Sequence, residues 1–290
     1  MGMDMSQPII LNDVAALRSQ IGQWRAARDT IALVPTMGAL HAGHVSLGQI
    51  GKARARRVIY TIFVNPTQFA PNEDFSAYPR TFEGDVAKLA ELGADAVFSP
   101  TPAVMYPDGF ATTVSLKGPA TAELEDRFRP THFAGVATVV SKLLIQAMPD
   151  IAIFGEKDFQ QLAVIRQMAR DLDIPTKIEG APTLRETDGL AMSSRNVYLS
   201  TEERAAAPLL HRVMREAASA IAAGETAHGV LDYSRQRIEQ GGFMLDYLEW
   251  RDATNLGAPS LARSSRLLVA ARIGKTRLID NLAVPTGGDA

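Results

Sequence analysis

Cysteine is absent from this sequence of 290 residues. Its absence excludes disulfides, thiolate catalysis, and zinc or iron–sulfur sites built on cysteine. An excess of charge of one sign is absent too, because 30 lysines and arginines stand against 32 aspartates and glutamates, leaving a formal net charge of −2. Such a balance gives no general attraction to nucleic acid or to an anionic membrane. We therefore expect neither nucleic acid nor a membrane as a partner.

A hydrophobic run of the length that a membrane span needs is also missing. The longest apolar stretch, Phe133–Met148, is interrupted by Ser141, Lys142 and Gln146, and it falls short of the roughly 20 residues required. The first residues, Met1–Pro8, contain neither the basic leader nor the apolar core of a signal peptide. Their extra methionines favour an alternative start or a cloning remnant. These features predict a cytoplasmic location.

What the sequence does contain is a regular alternation of short apolar runs with segments of helical periodicity. The length favours two domains, and a hydrophobic content of 46% is typical of globular proteins. Nearly all-apolar strands that alternate with helices predict a parallel sheet covered on both faces. The predicted fold is α/β, a Rossmann-like doubly wound parallel sheet with a smaller C-terminal α+β domain. The predicted strands of the sheet are 31–34, 58–64, 96–98 and 151–154.

The pattern changes after about Leu184, so we predict domains at residues 1–184 and 185–290. One long helix is predicted over 201–223, followed by strands at 244–250, 265–271 and 277–282. The last two strands predict a hairpin that turns at Gly274 and Lys275.

The segment that follows the first predicted strand, Pro35–His44, has the features of a phosphate-binding turn. Gly38 and Gly43 lack a Cβ atom and let the backbone turn and approach a ligand closely. His41 and His44 are three residues apart, which places both rings on one side of a helix start, where N–H groups and the positive dipole end lie. Amides and imidazoles together make an anion site, and we expect the rings to take up protons as a polyphosphate binds. An isolated pair with this spacing equally fits local hydrogen bonds or a stray metal.

Two other segments carry phosphate-type donors at predicted strand ends or loops. In Gly155–Gln161, Lys157 can contact a phosphate as a point charge, and Asp158 can cap the next helix or hold a ribose hydroxyl or metal-bound water. The second segment offers two hydroxyls and a guanidinium in the run Met192, Ser193, Ser194 and Arg195. Each of the two segments, taken alone, also fits an ordinary polar turn.

Taken together, the motifs resemble the pantoate–β-alanine ligase (pantothenate synthetase) family of the HxGH nucleotidyltransferases. The resemblance covers most of residues 31–283 in the expected order. The motifs are PTMGALHAGH, IFVNPTQF, YPRT, MYPDG, RPTHFAGV, FGEKDFQQ, DGLAMSSRN, DYLEWRD and RLLVAAR. The resemblance implies a ligase that uses ATP with Mg²⁺ to convert pantoate into pantoyl adenylate and pyrophosphate. In a second step, β-alanine displaces AMP from the adenylate to give pantothenate. The resemblance also implies a homodimer formed through the N-terminal domain, ATP and pantoate binding by residues 1–184, and a lid role for residues 185–290.

The resemblance further implies roles for individual residues. His44 matches the catalytic donor, with His41 and Lys157 beside it in the catalytic set. Gln68 and Gln161 match the pantoate-binding residues, and Gln68 also lies near β-alanine. Metal ligands are not assigned. The implied ATP-binding residues are Met37, Gly38, His41, Gly43, His44, Gly155, Lys157, Asp158, Leu184, Met192, Ser193, Ser194 and Arg195.

Several alternatives remain open on the residues alone. Asn72–Tyr78 fits a lid or an ordinary exposed loop, and Arg129 and His132 fit either the acid site or the start of their own helix. Thr67 and Phe159 depart from the methionine and tyrosine common in the family, and we expect changes in packing there. Rival functions are adenylylation of a phosphate acceptor and ATP binding without turnover.

Overall fold

The computed structural model describes residues 7–69, 75–76 and 78–285, and these residues form two compact units. The first unit takes its described residues from Met1–Lys117, Arg129–Glu156 and Val164–Pro182. The second takes them from Gly118–Phe128, Lys157–Ala163 and Thr183–Ala290. Of the segment Asn72–Tyr78, for which a lid and an ordinary exposed loop were both open, residues 72–74 and 77 lie outside the described residues, as do residues 1–6 of the amino terminus.

The helices and strands follow one another in a βα pattern through the first unit and then change character. The helices are α1 (Val14–Ala26), α2 (Ala42–Arg54), α3 (Phe82–Leu92), α4 (Pro102–Met105), α5 (Glu125–Phe128), α6 (His132–Ala147), α7 (Phe159–Asp171), α8 (Thr201–Ala206), α9 (Leu209–Ala222) and α10 (Ala227–Gln240). The strands are β1 (Ile9–Leu11), β2 (Ile31–Thr36), β3 (Arg57–Ile62), β4 (Ala96–Phe98), β5 (Ile151–Gly155), β6 (Lys177–Ala181), β7 (Met244–Asp252), β8 (Ser265–Ile273) and β9 (Thr276–Val284).

The first unit is built on a six-stranded parallel sheet with the order β1-β4-β3-β2-β5-β6. The central strands are buried along nearly their whole length, with Ile31–Val34 fully inaccessible to solvent, as apolar strands covered by helices on both faces should be. The Rossmann-like parallel sheet predicted from the sequence is confirmed.

The order of the strands creates a switch point at β2. The chain runs from β2 outward to β3 and β4, and then returns to place β5 on the other side of β2. Because all these strands are parallel, the carboxyl ends of β2 and β5 lie at the same edge of the sheet. In open α/β sheets a switch point at this edge is where ligands bind. The loop that follows β2 leads directly into α2, which packs against β5.

The second unit is a three-stranded antiparallel sheet, β7-β8-β9, with helices. Residues Ile273 and Thr276 pair across the β8–β9 hairpin, so the predicted turn at Gly274 and Lys275 is confirmed. Helix α9 presents an apolar face at helical spacing to the core, and the strands contribute alternating residues to it. The α+β class predicted for the C-terminal part is therefore also confirmed.

Other sequence predictions for this unit were wrong or incomplete. The helix predicted over 201–223 is two helices, because Pro208 cannot continue the hydrogen-bond ladder and α8 ends at Ala206. Ser200 begins α8 with a capping box completed by Glu203. Helix α10 was not predicted. The second unit consists of a long segment that starts at Thr183 and two earlier segments, residues 118–128 and 157–163; the division into residues 1–184 and 185–290 stays a prediction.

No helix in the described part of the chain is both long and apolar enough to cross a membrane.

Candidate active site

The loop between β2 and α2 makes a left-handed turn before the two histidines. Gly38 has φ 84° and Ala39 has φ 50°, a region that glycine adopts freely and alanine adopts only under constraint. A Cβ atom at Gly38 would lie 3.2 Å from both Asp85 Oδ2 and Ile62 Cγ2. The glycine predicted to allow a sharp turn is thus required here by its φ angle and by close neighbours.

His41 and His44 lie side by side at the amino end of α2. His41 is the N-cap residue, and the ring centroids of the two histidines are 4.1 Å apart. The backbone N–H of Gly43 donates to His41 Nδ1 at 3.1 Å, and the N–H of His41 donates to His44 Nδ1 at 3.4 Å. The two rings therefore form a reciprocal capping box with the backbone. Both rings are only partly buried, and the predicted placement on one side of the helix start is confirmed.

This capping arrangement assigns the proton in each neutral ring. Because each Nδ1 accepts a backbone N–H, the ring proton lies on Nε2. Protonation of Nδ1 would remove the acceptor that caps the helix and would place a cation at the positive end of the dipole. In this geometry each neutral imidazole presents Nε2–H as its donor, and the proton uptake expected on polyphosphate binding stays a prediction.

A buried tyrosine holds the main chain of His44. The Tyr60 hydroxyl donates to the His44 carbonyl at 2.8 Å, and burial raises the pKa of Tyr60, so the hydroxyl keeps its proton. Gly48, one turn along α2, provides the space that the phenol occupies, because a Cβ atom there would overlap the Tyr60 hydroxyl and Leu92. Neither Tyr60 nor Gly48 was singled out from the sequence, where both belong to ordinary apolar segments.

Replacement of Gly48 by alanine should therefore displace Tyr60 and lower the stability of the protein by about 1–3 kcal/mol, the usual cost of overpacking. The measurement is the urea midpoint of unfolding. Gly22→Ala on α1 is the matched control, because no atom lies within 4 Å of a Cβ atom at Gly22 and alanine is the better helix former. Equal midpoints for the two variants would contradict the prediction.

Gln68, predicted to bind an acid substrate, lies after β3 in a network of side chains. Asn65 Nδ2 donates to Gln68 Oε1 at 3.2 Å, and Gln68 Nε2 lies 3.0 Å from Met37 Sδ. Arg129 and His132 both approach the Gln68 carbonyl, at 3.3 and 3.1 Å. The structure thus brings Gln68 and Met37 together, and it shows Arg129 and His132 fixing the main chain at Gln68.

Gly155 ends β5 at the same sheet edge as the β2–α2 loop. It pairs with Ala181, and a Cβ atom added to Gly155 would meet no atom within 4 Å. The open space beside its backbone agrees with the close ligand approach predicted for this glycine.

In the second unit, Lys157 and Asp158 follow β5 in a single turn of 3-10 helix. Asn281 Nδ2 donates to the Lys157 carbonyl at 2.8 Å, which anchors the lysine main chain to β9. Lys157 Nζ lies 3.8 Å from Asp158 Oδ2. Gln161 is partly exposed, whereas its neighbour Gln160 is buried and binds Asp126. The two adjacent glutamines therefore differ: Gln160 is structural, and Gln161 is accessible.

In the second unit, residues 184–195 form a loop that is closed by a main-chain hydrogen bond, and we call it the 184–195 loop. The N–H of Met192 donates to the Leu184 carbonyl at 3.0 Å, so two residues predicted to bind ATP lie together. Ser193 caps a short 3-10 helix through the N–H of Arg195 at 3.3 Å, and this helix begins at Ser194. Polar groups on one short turn offer the hydroxyl and guanidinium donors that a phosphate needs.

A salt bridge closes the turn at Asp188, within this loop. Arg204 donates to Asp188 Oδ2 at 2.6 Å, and this hydrogen bond from Arg204 lowers the pKa of Asp188. Arg185 donates to both oxygens of Asp280 at 2.7 and 2.9 Å. Two ion pairs therefore hold this loop in place.

Comparison with known proteins identifies the family. Residues 9–283 match the pantoate-beta-alanine ligase family. The pantothenate synthetase of Rhodopseudomonas palustris is 55% identical, with 96% of this chain and 99% of the relative aligned. That of Paramagnetospirillum magneticum is 56% identical, with 95% and 97% aligned.

Solved structures of the same family are also similar to this chain. The pantothenate synthetase of Thermus thermophilus has a TM-score of 0.88 and 42% identity, covering 95% of this chain and 99% of its own. The pantoate-beta-alanine ligase of Francisella tularensis, solved in complex with beta-gamma ATP and beta-alanine, has a TM-score of 0.81 and 36% identity, with 95% and 97% covered. Because the family match and the relatives extend over nearly the whole chain, this chain belongs to the pantoate–β-alanine ligase (pantothenate synthetase) family of carbon–nitrogen ligases.

Proposed function

We propose that this chain joins pantoate to β-alanine at the expense of ATP, through a pantoyl-adenylate intermediate, and releases pantothenate, AMP and pyrophosphate. Membership of the family supports the overall reaction. The observation that carries the mechanism is the histidine pair at the amino end of α2, which lies at the switch point of a parallel sheet. Such a position gathers main-chain N–H groups and imidazole donors where a polyphosphate is best stabilised.

In the first step, a carboxylate oxygen of pantoate attacks the α-phosphorus of ATP, and the bond from that phosphorus to the bridging oxygen breaks. Pyrophosphate leaves with the electron pair, so negative charge grows on the departing oxygens. His41 and His44 would donate through Nε2–H to these oxygens, and their fixed orientation avoids the cost of reorganising donors during the reaction.

In the second step, the amine of β-alanine attacks the acyl carbon of the adenylate. The carbon–oxygen bond breaks, AMP leaves, and the amine loses a proton as the amide forms. Adenylation is needed because a free carboxylate resists attack by an amine, whereas AMP is a good leaving group. The rate gain comes from holding the two reactants in contact.

Gln68 and Gln161 would bind pantoate through their neutral amides. An amide can both donate and accept hydrogen bonds, so it can orient a carboxylate and hydroxyls without an ion pair that would weaken the attacking oxygen. The contacts of Gln68 with Asn65 and Met37 support this role, because they hold the amide in one orientation.

The remaining ATP contacts are proposed for residues at the end of β5 and just after it, and for the 184–195 loop. Gly155 would let the nucleotide approach the backbone, and Lys157 would bind a phosphate as a point charge. Leu184 would contact adenine through its main chain. The proposed ATP set is completed by Met37, Gly38, Gly43, Asp158, Met192, Ser193, Ser194 and Arg195.

Mg²⁺ is proposed to arrive with ATP. In the ranges 7–69, 75–76 and 78–285, no three His, Asp or Glu side chains are gathered as a protein-only metal site requires. We therefore propose a Mg²⁺ ion that is held mainly by phosphate oxygens and water, which is the common way that phosphate-transfer enzymes bind Mg²⁺. Asp158 would hold a metal-bound water. When bound, the ion would neutralise charge on the phosphates.

A homodimer formed through the first unit is proposed on the resemblance to the family, and light scattering on the purified chain tests it. The lid role of residues 185–290 and the cytoplasmic location remain predictions.

The test of the function omits each substrate in turn. We expect pantoate and ATP alone to give pyrophosphate in an amount limited to one adenylate per site, and AMP to appear only after β-alanine is added. Turnover with 4′-phosphopantetheine or a pyridine mononucleotide in place of pantoate would instead support an adenylyltransferase. Binding of ATP without any pyrophosphate would support a non-catalytic nucleotide domain, and either result would overturn the proposal.

A further inference from the structure

Asp85 is a buried carboxylate that the proposed reaction has not yet used. Its residue is 0% exposed, although it lies in the first turn of α3, where acidic residues are normally solvated. The carboxylate faces the loop between β2 and α2, 45 and 46 residues earlier in the chain. A charge so deeply buried persists only where several partners stabilise it.

The partners of Asp85 are the main-chain amides that form the left-handed turn. The N–H of Ala39 donates to Oδ2 and the N–H of Leu40 donates to Oδ1, both at 2.8 Å. Thr81 Oγ1 donates to Oδ2 at 3.2 Å. Each carboxylate oxygen thus accepts a hydrogen bond from one main-chain amide of the turn, so the carboxylate binds two adjacent amides at once. The positive φ of Ala39, which costs energy by itself, is compensated by these hydrogen bonds.

A lysine completes the clamp from the same helix. Lys88 Nζ donates to the Leu40 carbonyl at 2.6 Å and lies 3.8 Å from Asp85 Oδ1. Both the N–H and the C=O of Leu40 are therefore fixed by α3. Leu40 immediately precedes His41, so the direction in which the chain enters α2 is set by this clamp.

We propose that Asp85, assisted by Lys88, is the positioning residue of the phosphate-binding turn: it locks the backbone before His41 so that the two imidazoles and the helix amides meet the phosphates of ATP in one fixed geometry. This inference rests on the proposed function, because it assigns the turn to ATP. Asp85 itself touches no substrate. Its effect passes through the backbone of Ala39 and Leu40 to the histidines.

Asp85→Asn is the sharpest variant because it keeps the shape of the side chain. The amide can accept one N–H of the turn but presents its own NH₂ group to the other, so one hydrogen bond becomes a contact between two donors. The turn must shift, and displacement of catalytic donors by about 1 Å can cost about 10²-fold in rate. We expect a decrease of about this size in pantoate-dependent exchange of pyrophosphate into ATP, together with a higher KM for ATP.

The second half-reaction supplies the readout that a general loss of structure would not spare. Synthetic pantoyl adenylate carries no pyrophosphate, so its conversion to pantothenate by β-alanine should proceed near the wild-type rate in Asp85→Asn. Equal losses in both half-reactions, or no loss in either, would overturn the proposal. Absence of exchange in the wild-type chain would instead contradict the proposed function, so the two failures are distinguishable.

Two further variants keep the test decisive. Asp95→Asn is the matched control, because Asp95 Oδ2 also accepts a main-chain N–H, from Val58 at 2.9 Å, but at the amino end of β3; both half-reactions should remain unchanged. Lys88→Met covers the case in which Asp85→Asn fails to fold, because the Lys88 side chain is 47% exposed and we expect its replacement to leave the fold intact. A smaller decrease in exchange alone is expected for Lys88→Met, and wild-type exchange with wild-type KM for ATP would contradict the clamp.

Discussion

Alanine in place of His44 is expected to lower pantoate-dependent pyrophosphate release about 10²–10³-fold, which corresponds to about 2.7–4 kcal/mol of transition-state stabilisation. The reason is the loss of an oriented Nε2–H donor at the amino end of α2, where charge develops on the leaving pyrophosphate. Circular dichroism should be unchanged, because His44 is only partly buried. The measurement is the rate of pyrophosphate release in a single turnover.

Two other histidine variants sharpen this result. His228→Ala is the matched control, because the His228 side chain on α10 is 85% exposed, and its turnover should equal that of the wild type. His44→Gln retains an N–H donor that cannot become a cation, so it should recover part of the rate that alanine loses. A rate for His44→Gln no better than for His44→Ala would argue against the neutral donor, and near-normal turnover in His44→Ala would remove His44 from the mechanism.

Replacement of Arg277 by methionine is expected to destabilise the protein by about 3–5 kcal/mol, because it removes the cation that balances the buried carboxylate of Glu125. Arg277 donates to both oxygens of Glu125 at 2.7 and 2.9 Å and to Asp246 at 2.7 Å. Burial alone would lower the pKa of Arg277, but hydrogen bonds and charge from Glu125 and Asp246 raise it overall. The measurement is the free energy of unfolding of the second unit's transition in urea.

An exposed ion pair gives the matched comparison for Arg277. Arg204 and Asp188 also form a close pair, at 2.6 Å, but their side chains are 36% and 38% exposed. Arg204→Met should cost no more than about 1 kcal/mol, as solvated pairs do. A similar small cost for Arg277→Met would show that the network around Glu125 does not stabilise this unit.

Local patterns in the sequence predicted the parts of the site that depend on neighbouring residues. The apolar run before Pro35 predicted a buried strand, and the spacing of His41 and His44 predicted rings on one side of a helix start. Both follow from backbone periodicity, which a short segment determines by itself. The hairpin turn at Gly274 and Lys275 was predictable for the same reason.

Contacts between distant segments were not predictable in this way. Asp85 reads as an ordinary acidic residue in the first turn of a helix, and only the folded chain shows that its carboxylate is buried against Ala39 and Leu40. Glu125 and Arg277 are 152 residues apart, so their pairing, and the recruitment of the segment 118–128 into the second unit, depends on tertiary packing. The phase of α7, which buries Gln160 and exposes Gln161, likewise depends on what the helix packs against.

One error had a signal that was available in the sequence. Pro208 lies inside the helix predicted over 201–223, and a proline in a helix interior removes a hydrogen bond and clashes with the preceding turn. The high alanine and glutamate content of the segment favours helix, and it led to the prediction of one continuous helix in spite of Pro208. The break separates α8 from α9, and the capping box of Ser200 and Glu203 then begins the shorter helix.

Transfer of an oxygen atom tests the central mechanism most directly. With both carboxylate oxygens of pantoate labelled as ¹⁸O, attack on the α-phosphorus followed by displacement by β-alanine must leave one labelled oxygen in each AMP, and phosphorus NMR of the product detects it. We predict one ¹⁸O atom per AMP formed. Unlabelled AMP, or label found only in inorganic phosphate, would contradict activation of pantoate as an adenylate.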